Sequence, residues 1–271
     1  MRSYVGYQER YRGLMFISLI GRLSEGVISI LRELGGMGFM FLNSILLLFR
    51  RPLKLNYIFK QMEFIGVKSA GVVIITGTFT GMVLALQSYY GFRKFSAEGL
   101  VGTTVALSMT RELGPVLTSL MVTGRAGSAM AAELGTMRVT EQIDALIVMA
   151  LNPIKYLVTP RVIASFFMLP ILTIISDFVG IVGGWLVGVK LLGINEGAFI
   201  NKMIKYLDFE DIYNGLAKAA CFGVILSVVA CYKGFYTKGG AEGVGRSTTE
   251  SVVIASVSIL IADYVLTSLM F

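Results

Sequence analysis

Five apolar stretches constrain the fold of this chain more than any other feature of its sequence. Each has more than twenty residues, and an α-helix needs about 20 to cross the hydrocarbon core of a bilayer. The chain is 55% hydrophobic and only 15% charged, whereas soluble domains carry about 25% charged residues. We therefore predict an all-α polytopic membrane protein with five transmembrane helices, which are Ser69–Tyr90, Gly99–Gly124, Val162–Val189, Ile212–Tyr232 and Ser251–Phe271.

The N-terminal region has a different pattern. Leu19–Leu34 is apolar on one helical face and charged on the other, which favours an interfacial helix, although such a helix could also pack on protein. Residues 34–49 are apolar but short for a span, so we interpret them as a continuation of this helix or a re-entrant piece; a full span remains an alternative. The sequence thus predicts an N-terminal cytoplasmic segment, 1–65, and a transmembrane domain, 66–271.

The distribution of basic residues predicts the orientation. Of the 24 Lys and Arg, seventeen fall in the N-terminal region and in two loops on one side of the predicted topology, and five fall on the other side. Because cytoplasmic loops are enriched in Lys and Arg, the N-terminus is predicted to be cytoplasmic and, with an odd number of spans, the C-terminus to lie outside. The net charge of +7 therefore indicates orientation and anionic headgroups, and we expect no nucleic-acid partner.

Ionisable residues lie inside the predicted spans. An ionised group at the bilayer centre costs about 2.5–3.5 kcal/mol, so such residues are commonly paired or functional. For Asp177 and Asp263, both explanations stay open; the candidate partners are Arg111, Lys68, Lys218 and free backbone groups. For Glu112 we favour a function, because Pro115 has no N–H for the carbonyl four residues earlier and weakens the helix beside it.

Small residues predict close helix contacts. Gly77 and Gly81 are four residues apart, as are Gly180, Gly184 and Gly188. Such stripes let helix backbones approach in lipid, either within the chain or across a dimer.

A short polar helix, Arg138–Asp144, is predicted between the second and third spans, within the loop 125–161. Glu141, Gln142 and Asp144 precede an apolar run that ends before Pro153. A helix that is charged at one end and apolar behind could dock on a soluble partner, although a solvated loop helix is equally compatible with the pattern.

The sequence offers little for catalysis or metal binding. It has no His, and Cys221 and Cys231 lie on different faces of one predicted helix, so we expect no metal site. Residues 240–247 imitate a phosphate-binding loop with Arg246 in place of Lys. A genuine loop of this type follows a buried strand in an α/β domain, so we do not expect the chain to hydrolyse ATP.

Five motifs in order resemble the MlaE/YrbE permease family, the membrane subunits of MCE-linked ABC transporters. The resemblance covers residues 66 to 271 and is carried by Gly81-Met-Val-Leu-Ala-Leu-Gln87, Arg111-Glu-Leu-Gly-Pro115, Gly124-Arg-Ala-Gly-Ser128, Thr140-Glu-Gln142 and Leu169-Pro170. It implies a homodimer in the bacterial inner membrane that moves phospholipid between the inner and outer membranes and so maintains outer-membrane lipid asymmetry. It also implies separate ATPase subunits that bind ATP and Mg, a periplasmic hexamer of MCE-domain proteins and, in some systems, a STAS-domain protein.

The resemblance also implies roles for individual residues, with no catalytic residue and no cofactor in this chain. Glu141, Gln142 and Asp144 would belong to a cytoplasmic coupling helix that meets the ATPase. The lipid pocket would be lined by Glu112, Leu113, Gln87, Leu84, Phe92 and Phe95. Arg111, Asp177 and Asp263 would remain as polar groups within the membrane.

Two other functions are compatible with the residues alone. One is an ion-coupled secondary carrier that uses Glu112, Asp177 and Asp263 as a relay. The other is a membrane scaffold that only anchors its partners.

Overall fold

The computed structural model describes residues 28–29, 31–48 and 55–270, and every regular element in them is helical. The all-α fold predicted from the sequence is therefore confirmed. The amphipathic helix predicted at Leu19–Leu34 lies largely outside the described residues. The helices are α1 (Leu31–Leu48), α2 (Leu55–Arg93), α3 (101–139), α4 (Gln142–Val148), α5 (Ile154–Leu191), α6 (Glu196–Tyr206), α7 (Phe209–Phe235) and α8 (Gly240–Met270).

By its contacts, the chain divides into two compact units, Met1–Asn43 and Ser44–Phe271. The described part of the first unit consists mainly of the beginning of α1. The second contains the remaining helices, and the site described below lies wholly within it.

Five helices in the described residues are long and apolar enough to cross a membrane: α1, α2, α5, α7 and α8. The last four contain four of the five predicted spans. Helix α1, which we predicted to be interfacial or re-entrant, also meets this criterion, so its length and composition support the alternative of a full span.

Helix α3 covers the remaining predicted span but is not among these five helices. Arg111, Glu112 and many small or hydroxyl-bearing residues lower its hydropathy. The helix is instead enclosed by protein, because it packs against α2, α5, α7 and α8. Polar residues at membrane depth are tolerated where neighbouring helices shield them from lipid.

The predicted glycine contacts are found within the chain. A Cβ atom at Gly81 would overlap the backbone carbonyl of Gly180, and one at Gly77 would lie 2.7 Å from the Ser176 hydroxyl. Helices α2 and α5 therefore touch along their backbones, as small-residue stripes allow.

An ion pair joins α3 to α5 near the C-terminal end of α3. Arg161 is almost fully buried and contacts the Glu133 carboxylate at 2.7 Å. Glu133 remains about half exposed, so only one of the two charges is removed from solvent.

Candidate functional site: a buried lysine at the break in α3

The centre of the site is a local change of helix geometry in α3. Residues Met109–Leu113 form a π-helical turn, and Gly114 and Pro115 follow directly. Single π-helical turns inside α-helices frequently mark functional sites. The weakened turn predicted from Pro115 is therefore present, and it lies beside Glu112.

Helix α7 packs directly against this turn. A Cβ atom at Gly215 would overlap the carbonyl oxygen of Thr110, so the α7 backbone touches α3 there. One turn further along α7, Lys218 donates a hydrogen bond to the carbonyl oxygen of Arg111 at 3.1 Å. In a regular α-helix this carbonyl would accept a hydrogen bond from the backbone N–H of residue 115, but Pro115 has no N–H. A lysine from another helix thus supplies the missing donor.

Lys218 is fully buried and also contacts two carboxylates. Its ammonium nitrogen lies 2.9 Å from Glu112 Oε1 and 3.4 Å from Asp263 Oδ1. A buried ammonium is unfavourable unless opposite charges and hydrogen bonds compensate for its lost hydration. The two acids and the Arg111 carbonyl provide this compensation, so the pairing left open for Asp263 is confirmed.

Thr267 completes the cluster. Its hydroxyl oxygen accepts a hydrogen bond from Lys218 at 2.7 Å. Its single proton can be donated either to Glu112, with distances of 3.2 and 3.3 Å to the two carboxylate oxygens, or to the Asp263 carbonyl at 2.8 Å. The side chains of α3, α7 and α8 therefore meet in one group held by hydrogen bonds and ion pairs, which we call the Lys218 cluster: Glu112, Lys218, Asp263 and Thr267.

Arg111 binds a different residue from its neighbour in the sequence, Glu112. Its guanidinium contacts the buried carboxylate of Asp211 at 2.6 Å. Asp211 and Lys218 are seven residues apart on α7, which is about two helical turns, so both point to the side that faces α3. This spacing is the sequence signal that could have revealed both pairs, although the site predicted from the sequence did not include Asp211.

Asp177 lies outside the Lys218 cluster. It is mostly buried on α5, against Gly114, and its Oδ1 atom has no hydrogen-bond partner in the described part of the chain.

The residues predicted to line a lipid pocket are only partly brought together. Leu84, Phe92 and Leu113 pack around one apolar cluster that includes Met109. Leu113 directly follows Glu112, so this apolar cluster and the Lys218 cluster draw on the same segment of α3. Gln87 is exposed on α2, and Phe95 lies in the turn after α2 with 81% of its surface exposed, so Phe92 and Phe95 do not share one surface.

The short helix after α3 is present, with revised limits. The polar helix was placed at 138–144, but α3 continues through Val139 and α4 begins only at Gln142. Glu141 lies in the turn between α3 and α4 and has a φ of 59°. This left-handed conformation costs an L-residue about 1–2 kcal/mol. Arg138 contacts Asp144 at 2.6 Å and ties α4 to the end of α3.

The surface of α4 combines polar and apolar groups. Ile143 is buried, whereas Glu141 and Gln142 are exposed. Ile147, Val148 and Met149 are also exposed, with Val148 at 87%. Exposed apolar residues beside polar ones are typical of surfaces that bind other proteins.

The described residues contain no group of three or more His, Cys, Asp or Glu that could hold a metal ion. Both cysteines are free; Cys221 is exposed and Cys231 is buried.

The fold and the buried charges together define a multi-pass helical membrane protein with a polar interior, the construction used by membrane transport proteins. The family model described as "Permease MlaE" matches residues 58–269, and the chain belongs to this family. The resemblance drawn from the five sequence motifs is thereby confirmed. Members of this family are membrane subunits of transport systems and not enzymes.

The chain is similar along nearly its whole length to named bacterial permeases. It is 47% identical over 257 residues to a "Probable ABC transporter permease protein" of Rickettsia felis, covering 95% of this chain and 99% of the relative. It is 40% identical over 260 residues to the "Intermembrane phospholipid transport system permease protein MlaE" of Haemophilus influenzae, with the same coverage. It is also 45% identical over 212 residues to the chloroplast protein TRIGALACTOSYLDIACYLGLYCEROL 1 of Arabidopsis thaliana, covering 78% of this chain and 61% of that protein.

Proposed function

We propose that this chain is the permease subunit of an ABC transporter that moves phospholipids between the inner and outer membranes and so maintains outer-membrane lipid asymmetry. The observation that carries the proposal is the course of α3, which runs as one helix from the π-helical turn beside the Lys218 cluster to the turn that precedes the exposed α4. The name of the Haemophilus relative supports the substrate class.

The Lys218 cluster is the candidate headgroup region. The Glu112 side chain is 36% exposed although its lysine partner is fully buried, so the carboxylate has an open side. Leu84, Leu113 and Phe92 are partly buried apolar residues of the cluster around Met109, one turn before Glu112 on α3, and would accompany the acyl chains. Gln87 would offer an amide at the exposed face of α2, and Phe95 would take part only at the entrance, because of its position in the turn.

Helix α4 is the candidate coupling helix. An ATPase subunit would contact Glu141 and Gln142 together with the exposed Ile147 and Val148. The ion pair between Asp144 and Arg138 would transmit movement of α4 to α3. A nucleotide-driven shift between two states of the ATPase would then reach Glu112 through α3.

The proposed assembly follows the family resemblance. The chain would form a homodimer in the bacterial inner membrane, with its N-terminus in the cytoplasm and its C-terminus in the periplasm. Two ATPase subunits would bind ATP and Mg, a hexamer of MCE-domain proteins would cover the periplasmic side, and a STAS-domain protein would accompany the ATPase in some systems.

Charge reversal on α4 tests the proposal. Glu141→Lys should release the ATPase subunit or uncouple ATP hydrolysis from lipid transfer, because it inverts the charge at the proposed contact. Glu196→Lys at the start of α6 is the matched control, since Glu196 is also an exposed carboxylate and lies in a different loop. Normal assembly and normal lipid transfer by the Glu141 variant would refute the coupling role of α4.

The ion-coupled carrier has less support. Glu112 and Asp263 share Lys218, but Asp177 makes no recorded bond to either of them in the described residues. The three acids therefore do not form one continuous relay. Transport that continues without nucleotide but stops when the proton gradient is dissipated would favour the carrier instead.

A further inference from the structure

A second polar feature lies where α2 and α3 cross near one membrane boundary. Each helix has a π-helical turn there, Glu63–Val67 in α2 and Thr123–Gly127 in α3. Arg125 of α3 reaches α2, where it donates a hydrogen bond to the Phe64 carbonyl and contacts the Ser69 hydroxyl at 3.4 Å. The two helices are therefore fixed to each other by a guanidinium group.

Two cations flank one aromatic ring at this point. The Arg125 guanidinium carbon lies 4.7 Å from the centre of the Phe64 ring, and the Lys68 ammonium nitrogen lies 5.8 Å from the same centre. Cations within about 6 Å of an aromatic face are attracted to it. The Phe64 ring is therefore within cation–π distance of two positive charges, and neither ring contact neutralises the charge of its cation.

No carboxylate in the described residues is recorded in an ion pair with either cation. Lys68 is exposed, and Arg125 is half-buried. Glu63 is the nearest carboxylate in sequence, but it is adjacent to Phe64 and therefore points to another side of the helix. Within the described part of the chain, the positive charge of this pair is consequently available to an anion.

The position of the pair along the helices suggests where that anion comes from. Lys68 directly precedes the apolar run of α2, and Arg125 directly follows the apolar half of α3. Both cations therefore lie at one boundary of the hydrocarbon region, at the depth of the lipid headgroups. Basic pockets between membrane helices at this depth commonly bind lipid phosphates, whose oxygens accept charge-assisted hydrogen bonds.

We propose that Lys68 and Arg125, held beside the Phe64 ring, form a binding site for the phosphate group of a bilayer lipid. This site is separate from the Lys218 cluster and does not depend on the proposed transport function. A bound lipid would hold the crossing of α2 and α3 together at the membrane surface, with its acyl chains against the exposed apolar face of α2, which includes Val67.

Native mass spectrometry of the purified protein in detergent tests the site. The probes are dioleoyl phosphatidylglycerol, which carries one phosphate, and dioleoylglycerol, which has the same acyl chains and none. Lys68→Gln should weaken phosphatidylglycerol binding about fivefold, since one basic residue near the surface contributes about 1 kcal/mol. Binding of dioleoylglycerol should not change.

The control and the second variant make the outcome decisive. Lys205→Gln removes an equally exposed lysine in α6 and should leave binding unchanged. Lys68→Gln/Arg125→Gln should weaken binding further than the single variant. Equal phosphatidylglycerol binding by the wild-type protein and the Lys68→Gln variant would overturn the proposal. If millimolar inorganic phosphate displaces the lipid completely, the site serves free phosphate, and the lipid assignment is wrong.

Discussion

Replacing Lys218 by Met tests the central feature of the structure. The substitution keeps a long, flexible side chain but removes the ammonium group that contacts Glu112 at 2.9 Å and Asp263 at 3.4 Å. It also removes the donor that serves the carbonyl opposite Pro115 at 3.1 Å. Two carboxylates and one backbone acceptor then lose their shared partner.

The expected loss of stability follows from the exposure of these groups. Removing one partner of a fully buried ion pair costs about 3–5 kcal/mol. The Glu112 and Asp263 side chains are 36% and 20% exposed, so partial hydration reduces the penalty toward the lower end. We expect a loss of about 3 kcal/mol, which corresponds to a decrease in Tm of about 5–6 °C for a chain of this size.

Thermal unfolding of the purified protein in one detergent measures the change. Lys233→Met is the matched control, because Lys233 is also mostly buried and contacts Glu250 at 3.2 Å. Glu250 keeps a second cation, Arg246, at 2.8 Å. The control should therefore lose much less stability than Lys218→Met.

A triple variant separates charge pairing from packing. Lys218→Met/Glu112→Gln/Asp263→Asn removes all three charges and should recover most of the lost Tm, because no uncompensated charge remains buried. If Lys218→Met has a wild-type Tm, the cluster does not stabilise the fold. If the triple variant is no more stable than the single one, the loss arises from packing, and the electrostatic explanation is wrong.

Three further predictions follow from the same structure. Gly81→Val should destabilise the protein by about 1–3 kcal/mol or more in thermal unfolding, because its Cβ would overlap a backbone carbonyl of α5. The control Gly91→Val lies in open space on the same helix and should change stability by at most about 0.5 kcal/mol. Equal effects of the two variants would contradict the packing argument. Asp177→Asn should keep or raise the Tm. The buried Oδ1 atom of Asp177 has no hydrogen-bond partner in the described residues, so a negative charge on this carboxylate destabilises the fold. A large decrease in Tm would indicate a cation that the structure does not show. Arg161→Met should lower the Tm less than Lys218→Met, because its partner Glu133 is 52% exposed and remains hydrated. An equally large decrease in Tm would mean that the exposure of the carboxylate does not determine the stability lost with its cation.

Much of the architecture could be predicted because it depends on local sequence. Apolar length identified the helices that contain four of the five predicted spans, and glycine spacing identified the close contact of α2 with α5. Pro115 predicted a weakened turn beside Glu112, and the π-helical turn is found there. The limits of α4 were less accurate, because the left-handed conformation of Glu141 has no signal in its residue type.

The sequence by itself determined that this chain is a helical membrane protein, which of its helices carry charge, and where α3 is weakened. These properties follow from hydropathy, residue chemistry and the missing N–H of a proline. Only the tertiary structure decided that Lys218 meets Glu112 and Asp263, while Arg111 meets Asp211. Helical periodicity fixes the face on which a side chain lies, but the facing partner depends on how helices that are distant in the sequence are rotated and shifted against each other. That choice is made by packing along the whole length of the helices, so no local pattern contains it.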